Sequence, residues 1–170
     1  MNANEDQPMM SASPDSPDRV KIGHVRLKVL DLDRSVGFFS RYLHMRQVER
    51  ACSEYAFLSG GDPHHEIALM QVRGEPEGHR SPDAPGFDHV AFEVSGKREF
   101  AQAYLALSEA RIPLRAVDNG ISWGMYFADP DGNQIELFCD TRREPGGRML
   151  WEGRTIELAP GPIIAALDEE

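Results

Sequence analysis

Two short segments of the chain alternate apolar and polar residues and begin in the same way. Residues 24–29 read His-Val-Arg-Leu-Lys-Val, and residues 89–94 read His-Val-Ala-Phe-Glu-Val. An alternation of period two is typical of a β-strand with one face in the core, so the apolar residues of both segments are predicted to point inward. His24 and His89, at the starts of these strands, are then on the opposite face.

Each of these strands is followed by a helical pattern and then by further strands. Apolar residues recur at spacings of three and four over residues 36–43 and again over residues 100–107, and Asp33 is predicted to cap the first helix. The segment 129–133, Asp-Pro-Asp-Gly-Asn, predicts a tight turn between two strands. The order βαβββ therefore occurs twice. We expect an α+β domain in which two βαβββ modules pair into a cup-shaped sheet.

The composition divides the chain into three parts. Residues 1–19 are rich in proline, serine and acids and almost lack apolar side chains, so a disordered tail is predicted there. Residues 20–142 carry the two modules, at about 20–74 and 85–142. Residues 143–170 open with a cluster of helix and strand breakers and continue with scattered apolar residues. We expect these last residues to form a C-terminal arm that packs either on its own domain or on another subunit.

Composition and charge exclude several classes of function. The 170 residues include 18 basic and 28 acidic side chains, and this net charge of −10 argues against a nucleic-acid partner. No apolar run approaches the roughly 20 residues of a transmembrane helix, and no secretory signal is visible, so no membrane partner is expected. Cys52 and Cys139 have no metal-binding or multi-disulfide spacing, which makes a cytoplasmic location the expectation.

Three side chains of metal-binding type are predicted to converge on the polar face of the cup. The repeat relates His24 to His89, so pairing of the modules brings the two imidazoles together. Glu136 lies between apolar residues of the last strand and faces away from them. Two histidines and one carboxylate bind one face of a metal and leave other positions open, which suits non-haem Fe(II) and oxygen chemistry. The competing interpretation is a structural role for each histidine, and the symmetry of the repeat disfavours it.

Three segments resemble the vicinal oxygen chelate superfamily, which includes glyoxalase I, fosfomycin-modifying enzymes, bleomycin-binding proteins and extradiol dioxygenases. They are residues 24–29, residues 88–92 and residues 126–136, the last reading Tyr-Phe-Ala-Asp-Pro-Asp-Gly-Asn-Gln-Ile-Glu. The resemblance covers about residues 21–142 and is closest to the single-domain type I extradiol (catechol 2,3-) dioxygenases. Because the same cup supports isomerases, transferases, dioxygenases and plain binders, the superfamily alone does not define the reaction.

The resemblance to the extradiol branch implies Fe(II) bound by the two histidines and the glutamate named above, with Mn, Ni and Zn as alternative metals. Glyoxalase-type members have a fourth, acidic ligand in the first module, where alignment of residues 67–69 with residues 135–137 places Ala68. The missing acid favours an extradiol dioxygenase over a glyoxalase. A register shift that placed Glu66 there would restore the glyoxalase interpretation.

The same resemblance implies three catalytic residues. A histidine base is expected at the pair His64–His65, and His65 is the preferred candidate. A tyrosine is expected ten residues before the carboxylate ligand, where Tyr126 stands. Asn119 occupies a position at which this branch often has a second histidine. Asparagine donates a hydrogen bond to substrate or oxygen but delivers no proton at neutral pH.

The sequence therefore predicts an Fe(II)-dependent extradiol ring-cleaving dioxygenase that acts with O2 on a catechol-like vicinal diol, a small aromatic molecule. Two alternatives stay open. One is an oxygen-independent metalloenzyme of the same fold, either a glyoxalase-like isomerase or an antibiotic thiol transferase. The other is a metal-free drug-binding module. A homodimer or higher homo-oligomer is expected, with the C-terminal arm as a natural interface element.

Overall fold

The computed structural model describes residues 21–74 and 85–168, so the tail predicted for residues 1–19 lies outside the described residues. The first module comprises β1 (Val25–Val29), α1 (Leu32–Tyr42), β2 (Arg46–Ala51), β3 (Tyr55–Ser59) and β4 (Ile67–Gln71). The second comprises β5 (Val90–Val94), α2 (Lys97–Glu109), β6 (Leu114–Asp118), β7 (Ser122–Ala128) and β8 (Gln134–Asp140). A short strand β9 (Ile156–Glu157), α3 (Pro160–Ala165) and a 3-10 helix (Ala166–Asp168) follow. None of the helices in the described ranges combines the length and hydropathy needed to span a bilayer.

The two modules share one strand order and one register. Their sheets run β1-β4-β3-β2 and β5-β8-β7-β6, with β9 added at the edge of the second. The second residue of β1, Arg26, pairs with Ala68, and the second residue of β5, Ala91, pairs with Glu136. Two βαβββ modules in an α+β fold are thus confirmed. The shared register also makes Ala68, and not Glu66, the structural equivalent of Glu136.

The first helix begins at an earlier cap than the sequence pattern suggests. Asp31 has an extended backbone, and its side chain accepts a hydrogen bond from the Arg34 backbone N–H at 3.0 Å. The prediction of Asp33 as the cap is therefore wrong. Asp33 lies in the first helical turn, where a negative charge favours the helix N-terminus, and its carboxylate lies 2.5 Å from the Arg50 guanidinium.

Aromatic contacts of helix α1 connect the two modules. The ring centroid of Phe39, which is fully buried, lies 6.4 Å from that of Phe92 on β5. The Phe38 ring lies 6.2 Å from Phe127 on β7. The core thus lies on the helix-covered faces of both sheets, and the opposite faces remain for polar side chains such as His89.

The segment 129–133 forms the predicted turn between β7 and β8. The buried Asp129 carboxylate accepts hydrogen bonds from the backbone N–H groups of Asp131 at 2.9 Å and Asn133 at 2.8 Å. Asp131 in turn forms an ion pair with Arg34 at the start of α1. The turn therefore ties the end of the second module to the first.

The C-terminal arm packs on its own chain. Strand β9 pairs antiparallel with β6, and α3 and the 3-10 helix lie on α2. Ile163 and Ala166 are fully buried in the core. Before these elements, Met149, Leu150 and Trp151 are 70%, 68% and 51% exposed, which leaves an apolar surface on the arm.

Candidate metal centre

His89 and Glu136 lie side by side because β5 and β8 are parallel neighbours. The Nε2 atom of His89 lies 2.9 Å from Glu136 Oε2, and the two side chains are 30% and 13% exposed. On the other side of the ring, Nδ1 lies 2.6 Å from Asp88 Oδ2. A neutral imidazole has a single N–H and donates to only one of these two carboxylates. With that N–H on Nδ1 facing Asp88, the lone pair of Nε2 faces Glu136 as a second possible metal ligand. A metal ion suits the position between Nε2 and Glu136, and Asp88 would then orient the histidine ligand.

Tyr126 is hydrogen-bonded to the same carboxylate. It pairs directly opposite Glu136 in the sheet, and its hydroxyl donates to Glu136 Oε1 at 2.8 Å. Burial, followed by the hydrogen bond to Glu136, raises the pKa of Tyr126 to about 12, so the phenol keeps its proton at neutral pH. The Asn119 amide lies beside this hydroxyl and lowers the same pKa in part.

A glycine makes room for the Glu136 carboxylate. A Cβ atom at Gly124, on β7, would lie 2.8 Å from Glu136 Oε1 and 3.7 Å from Asn119 Nδ2. Any larger residue at this position displaces the carboxylate, because 2.8 Å is well inside van der Waals contact for carbon and oxygen.

The first module carries a separate cluster of histidines. The ring centroid of His65 lies 4.8 Å from that of His24 and 4.8 Å from that of Phe57. His64 Nδ1 lies 2.9 Å from His65 Nδ1, and His64 Nε2 lies 3.3 Å from a carboxylate oxygen of Glu49. Burial, and then the neighbouring His24 and His64, lower the pKa of His65 and favour its neutral form.

The structure brings together two of the three predicted ligands. Within residues 21–74 and 85–168, no group of three His, Cys, Asp or Glu side chains is arranged to hold a metal ion. His24 and His89 both line a cleft of about 710 Å³ between the modules, whereas Glu136 lines a second pocket of about 350 Å³. The pair His89–Glu136 fits two positions of a metal ion. The three-ligand site stays a prediction.

In the described part of the chain, no acidic side chain occupies the position expected for a fourth metal ligand. Ala68 is fully buried at the position equivalent to Glu136. The neighbouring Glu66 instead accepts a hydrogen bond from the Gly60 backbone N–H at 2.9 Å. The observed pairing therefore does not contain the register shift on which the glyoxalase interpretation depended.

Sequence reasoning missed three residues of this site. Asp88 directly precedes a predicted ligand, and an acid beside a candidate metal-binding histidine was a usable signal. Trp151 and Thr155 reach the Glu136 pocket from the C-terminal arm. No local pattern marks them, since only the long-range pairing of β9 with β6 brings the arm there.

The chain belongs to the Glyoxalase/Bleomycin resistance protein/Dioxygenase superfamily, whose sequence profile matches residues 21–137. It is 33% identical over 90 residues to biphenyl-2,3-diol 1,2-dioxygenase 3 of Rhodococcus globerulus, covering 52% of this chain and 47% of that protein. It is 29% identical over 126 residues to the metallothiol transferase FosB of Staphylococcus epidermidis, covering 72% of this chain and 84% of that protein. The chain thus spans about half the length of the dioxygenase that it matches.

Solved structures show the same fold. A glyoxylase/bleomycin resistance protein/dioxygenase domain from Frankia sp. EAN1pec superposes with a TM-score of 0.59 at 24% identity. The superposition covers 74% of this chain and 94% of that one. Relatives in this superfamily include both dioxygenases and transferases, so the specific reaction rests on the site.

Proposed function

We propose that this protein is an Fe(II)-dependent extradiol dioxygenase that cleaves the ring of a catechol-like vicinal diol with O2. The observation that carries the proposal is the His89–Glu136 pair, with Tyr126 bonded to the carboxylate and no acid at Ala68. The similarity to a biphenyl-2,3-diol dioxygenase supports an aromatic diol as substrate.

His89 and Glu136 would hold Fe(II) together with His24. The ion, when bound, supplies Lewis acidity toward the diol and one-electron reactivity toward O2. Asp88 holds the proton on His89 Nδ1, which leaves Nε2 free to act as the ligand atom. Because Ala68 offers no donor, positions remain open for the substrate and oxygen.

We assign the third ligand to a second copy of the chain. Within one chain His24 packs against His65 and is not gathered with Glu136. In the proposed two-fold dimer, the His24–His65 cluster of one copy would meet the His89–Glu136 pair of the other and create two equal sites. The proposed site therefore requires the homodimer that the sequence analysis predicts.

The remaining side chains handle protons at the diol. His65 is neutral at pH 7 because its pKa is lowered, so its imidazole can accept a proton from a diol hydroxyl. Tyr126 keeps its proton, because its pKa is about 12, and donates a hydrogen bond within the site. Asn119 donates a hydrogen bond from its amide but delivers no proton.

Oxygen uptake tests the proposed reaction. The protein is purified under argon, loaded with Fe(II), and mixed with catechol or biphenyl-2,3-diol in an oxygen-electrode cell. We expect one O2 consumed per diol and a yellow ring-opened product, both lost in the Glu136→Gln variant. Glu109→Gln, an exposed glutamate at the end of α2, is the matched control and keeps full activity. Bound Fe(II) without oxygen uptake on either diol would overturn the proposal.

An oxygen-independent thiol transferase is the second candidate. The similarity to the metallothiol transferase covers 84% of that protein, against 47% of the dioxygenase. Such an enzyme would bind Mn, Ni or Zn and consume a small thiol in the presence of an antibiotic acceptor. Measuring free thiol and dissolved oxygen in parallel reactions distinguishes the two, since each reaction depletes only one of them.

A further inference from the structure

The pocket beside Glu136 has walls from two distant parts of the chain. Tyr126 and Glu136 of strands β7 and β8 form one side, and Trp151 and Thr155 of the C-terminal arm form another. The Thr155 hydroxyl donates to Asn119 Oδ1 at 2.9 Å, which links the arm to the polar end of the pocket. The arm lies beyond the residues that match the superfamily profile. The wall that the arm contributes therefore lies outside the part of the chain that matches the family profile.

Several contacts hold the arm against the second module. The Arg148 backbone N–H donates to the Gly120 carbonyl at 2.9 Å, and the Arg154 guanidinium lies 3.4 Å from the Asp118 carboxylate. A Cβ atom at Gly120, whose φ is +77°, would lie 2.9 Å from the Cδ atoms of both arginines. Glycine at this position thus permits both the left-handed backbone and the close approach of the arm.

Trp151 presents an aromatic surface to this pocket. Its indole N–H donates to the Arg154 carbonyl, so the polar atom is satisfied within the arm, yet the side chain stays 51% exposed. The other tryptophan, Trp123, behaves differently, because its ring packs 6.0 Å from Phe100 in the core. An indole that is anchored at its nitrogen offers its apolar faces, which bind a planar ring by stacking.

We propose that Trp151 stacks on the aromatic ring system of the substrate and determines specificity for aryl-substituted diols. This inference rests on the proposed function, which directs the diol oxygens toward Glu136 and Tyr126. A second ring attached to the diol extends toward the arm and covers the indole, whereas a single ring covers less of it. Trp151 therefore favours a biaryl diol over catechol itself.

Binding measured without turnover tests the inference. The full-length protein, with and without Fe(II), is titrated under argon with biphenyl-2,3-diol and with catechol in a calorimeter. We expect Trp151→Ala to weaken binding of biphenyl-2,3-diol about tenfold and that of catechol by less than about threefold. Trp151→Phe restores most of the affinity. Leu150→Ala removes the 68% exposed neighbour and leaves both affinities unchanged.

Activity provides the second readout. In Trp151→Ala we expect KM for biphenyl-2,3-diol to rise about tenfold with kcat and iron content unchanged, because stacking contributes equally before and during the reaction. The inference is overturned if Trp151→Ala unfolds at the same temperature as the wild type and binds biphenyl-2,3-diol with unchanged affinity. This holds even if oxygen uptake is intact. Binding that depends on Trp151 in a protein without oxygen uptake supports the inference and refutes the proposed reaction.

Discussion

Replacing Gly124 by alanine displaces the candidate ligand Glu136 without changing the Glu136 side chain itself. The added Cβ atom would lie 2.8 Å from Glu136 Oε1, and ordinary contacts begin at 3.4 Å. The carboxylate must therefore move by ~0.6 Å, since β7 and β8 are fixed by their pairing. The movement strains the hydrogen bond from Tyr126 and the contact with His89, which are 2.8 Å and 2.9 Å long.

Two opposing contributions determine the change in the free energy of unfolding of Gly124→Ala. Losing one hydrogen bond to a charged group costs about 1.5–3 kcal/mol, and the reduced freedom of the unfolded chain returns about 0.4–1 kcal/mol. We therefore expect the free energy of unfolding to fall by roughly 0.5–2.5 kcal/mol. Metal affinity should fall by about 10- to 100-fold, which is the loss typical when a group that orients a metal ligand is removed.

Gly37→Ala is the matched control. Gly37 lies in α1, and an added Cβ atom meets nothing within 4 Å. The free energy of unfolding of this variant should rise by about 0.5–1 kcal/mol, and its metal affinity should equal that of the wild type. Urea unfolding and competition for Fe(II) with a coloured chelator measure both quantities. Wild-type metal affinity in Gly124→Ala would refute the reasoning, because Glu136 would then not be the ligand that this glycine accommodates.

Three further predictions concern reactivity, pH and packing. Ellman's reagent should label the exposed Cys52 rapidly in the native protein and Cys139 only on unfolding, because burial raises the pKa of the Cys139 thiol to about 12. Rapid labelling of both thiols would contradict the burial of Cys139. Because the pKa of His65 is lowered in the folded protein, the unfolded state binds the proton more tightly, and the metal-free protein should lose stability as pH falls below about 6.5. His65→Asn should reduce that loss in urea titrations. An identical pH dependence in the variant and the wild type would argue against the lowered pKa. Ile163→Ala should lower the free energy of unfolding by about 2–4 kcal/mol, since the side chain is fully buried; a loss below about 1 kcal/mol would mean that the arm is not part of the core.

The sequence predicts the parts of the fold that depend on the repeat. Because the alternating patterns of residues 24–29 and 89–94 match, the two modules have the same strand order and the same register. The adjacency of His89 and Glu136 follows, since the first and last strands of a module are parallel neighbours. Which of several acids caps α1 depends on local backbone geometry, so the choice between Asp31 and Asp33 was not determined by the pattern.

Strand alternation and helical periodicity do not predict how segments distant in the sequence are positioned relative to one another. His65 precedes β4, so strand alternation does not say which way its ring points, and its packing against His24 and Phe57 comes from the loop. The position of Trp151 depends on a two-residue strand, β9, with no periodicity of its own. How the modules meet depends on the aromatic contacts of α1. These contacts leave His24 and His89 on one cleft, but among the described residues no group of three metal-binding side chains forms with Glu136.

Complementation between two inactive variants tests most directly whether both clusters form one metal centre. His24→Ala and Glu136→Gln are each expected to lack oxygen uptake on biphenyl-2,3-diol. Co-expressed in equal amounts, they form mixed dimers in which one site has His24 from one copy and Glu136 from the other, so about a quarter of wild-type activity should return. Mixed dimers without recovered activity would contradict a centre shared between two copies.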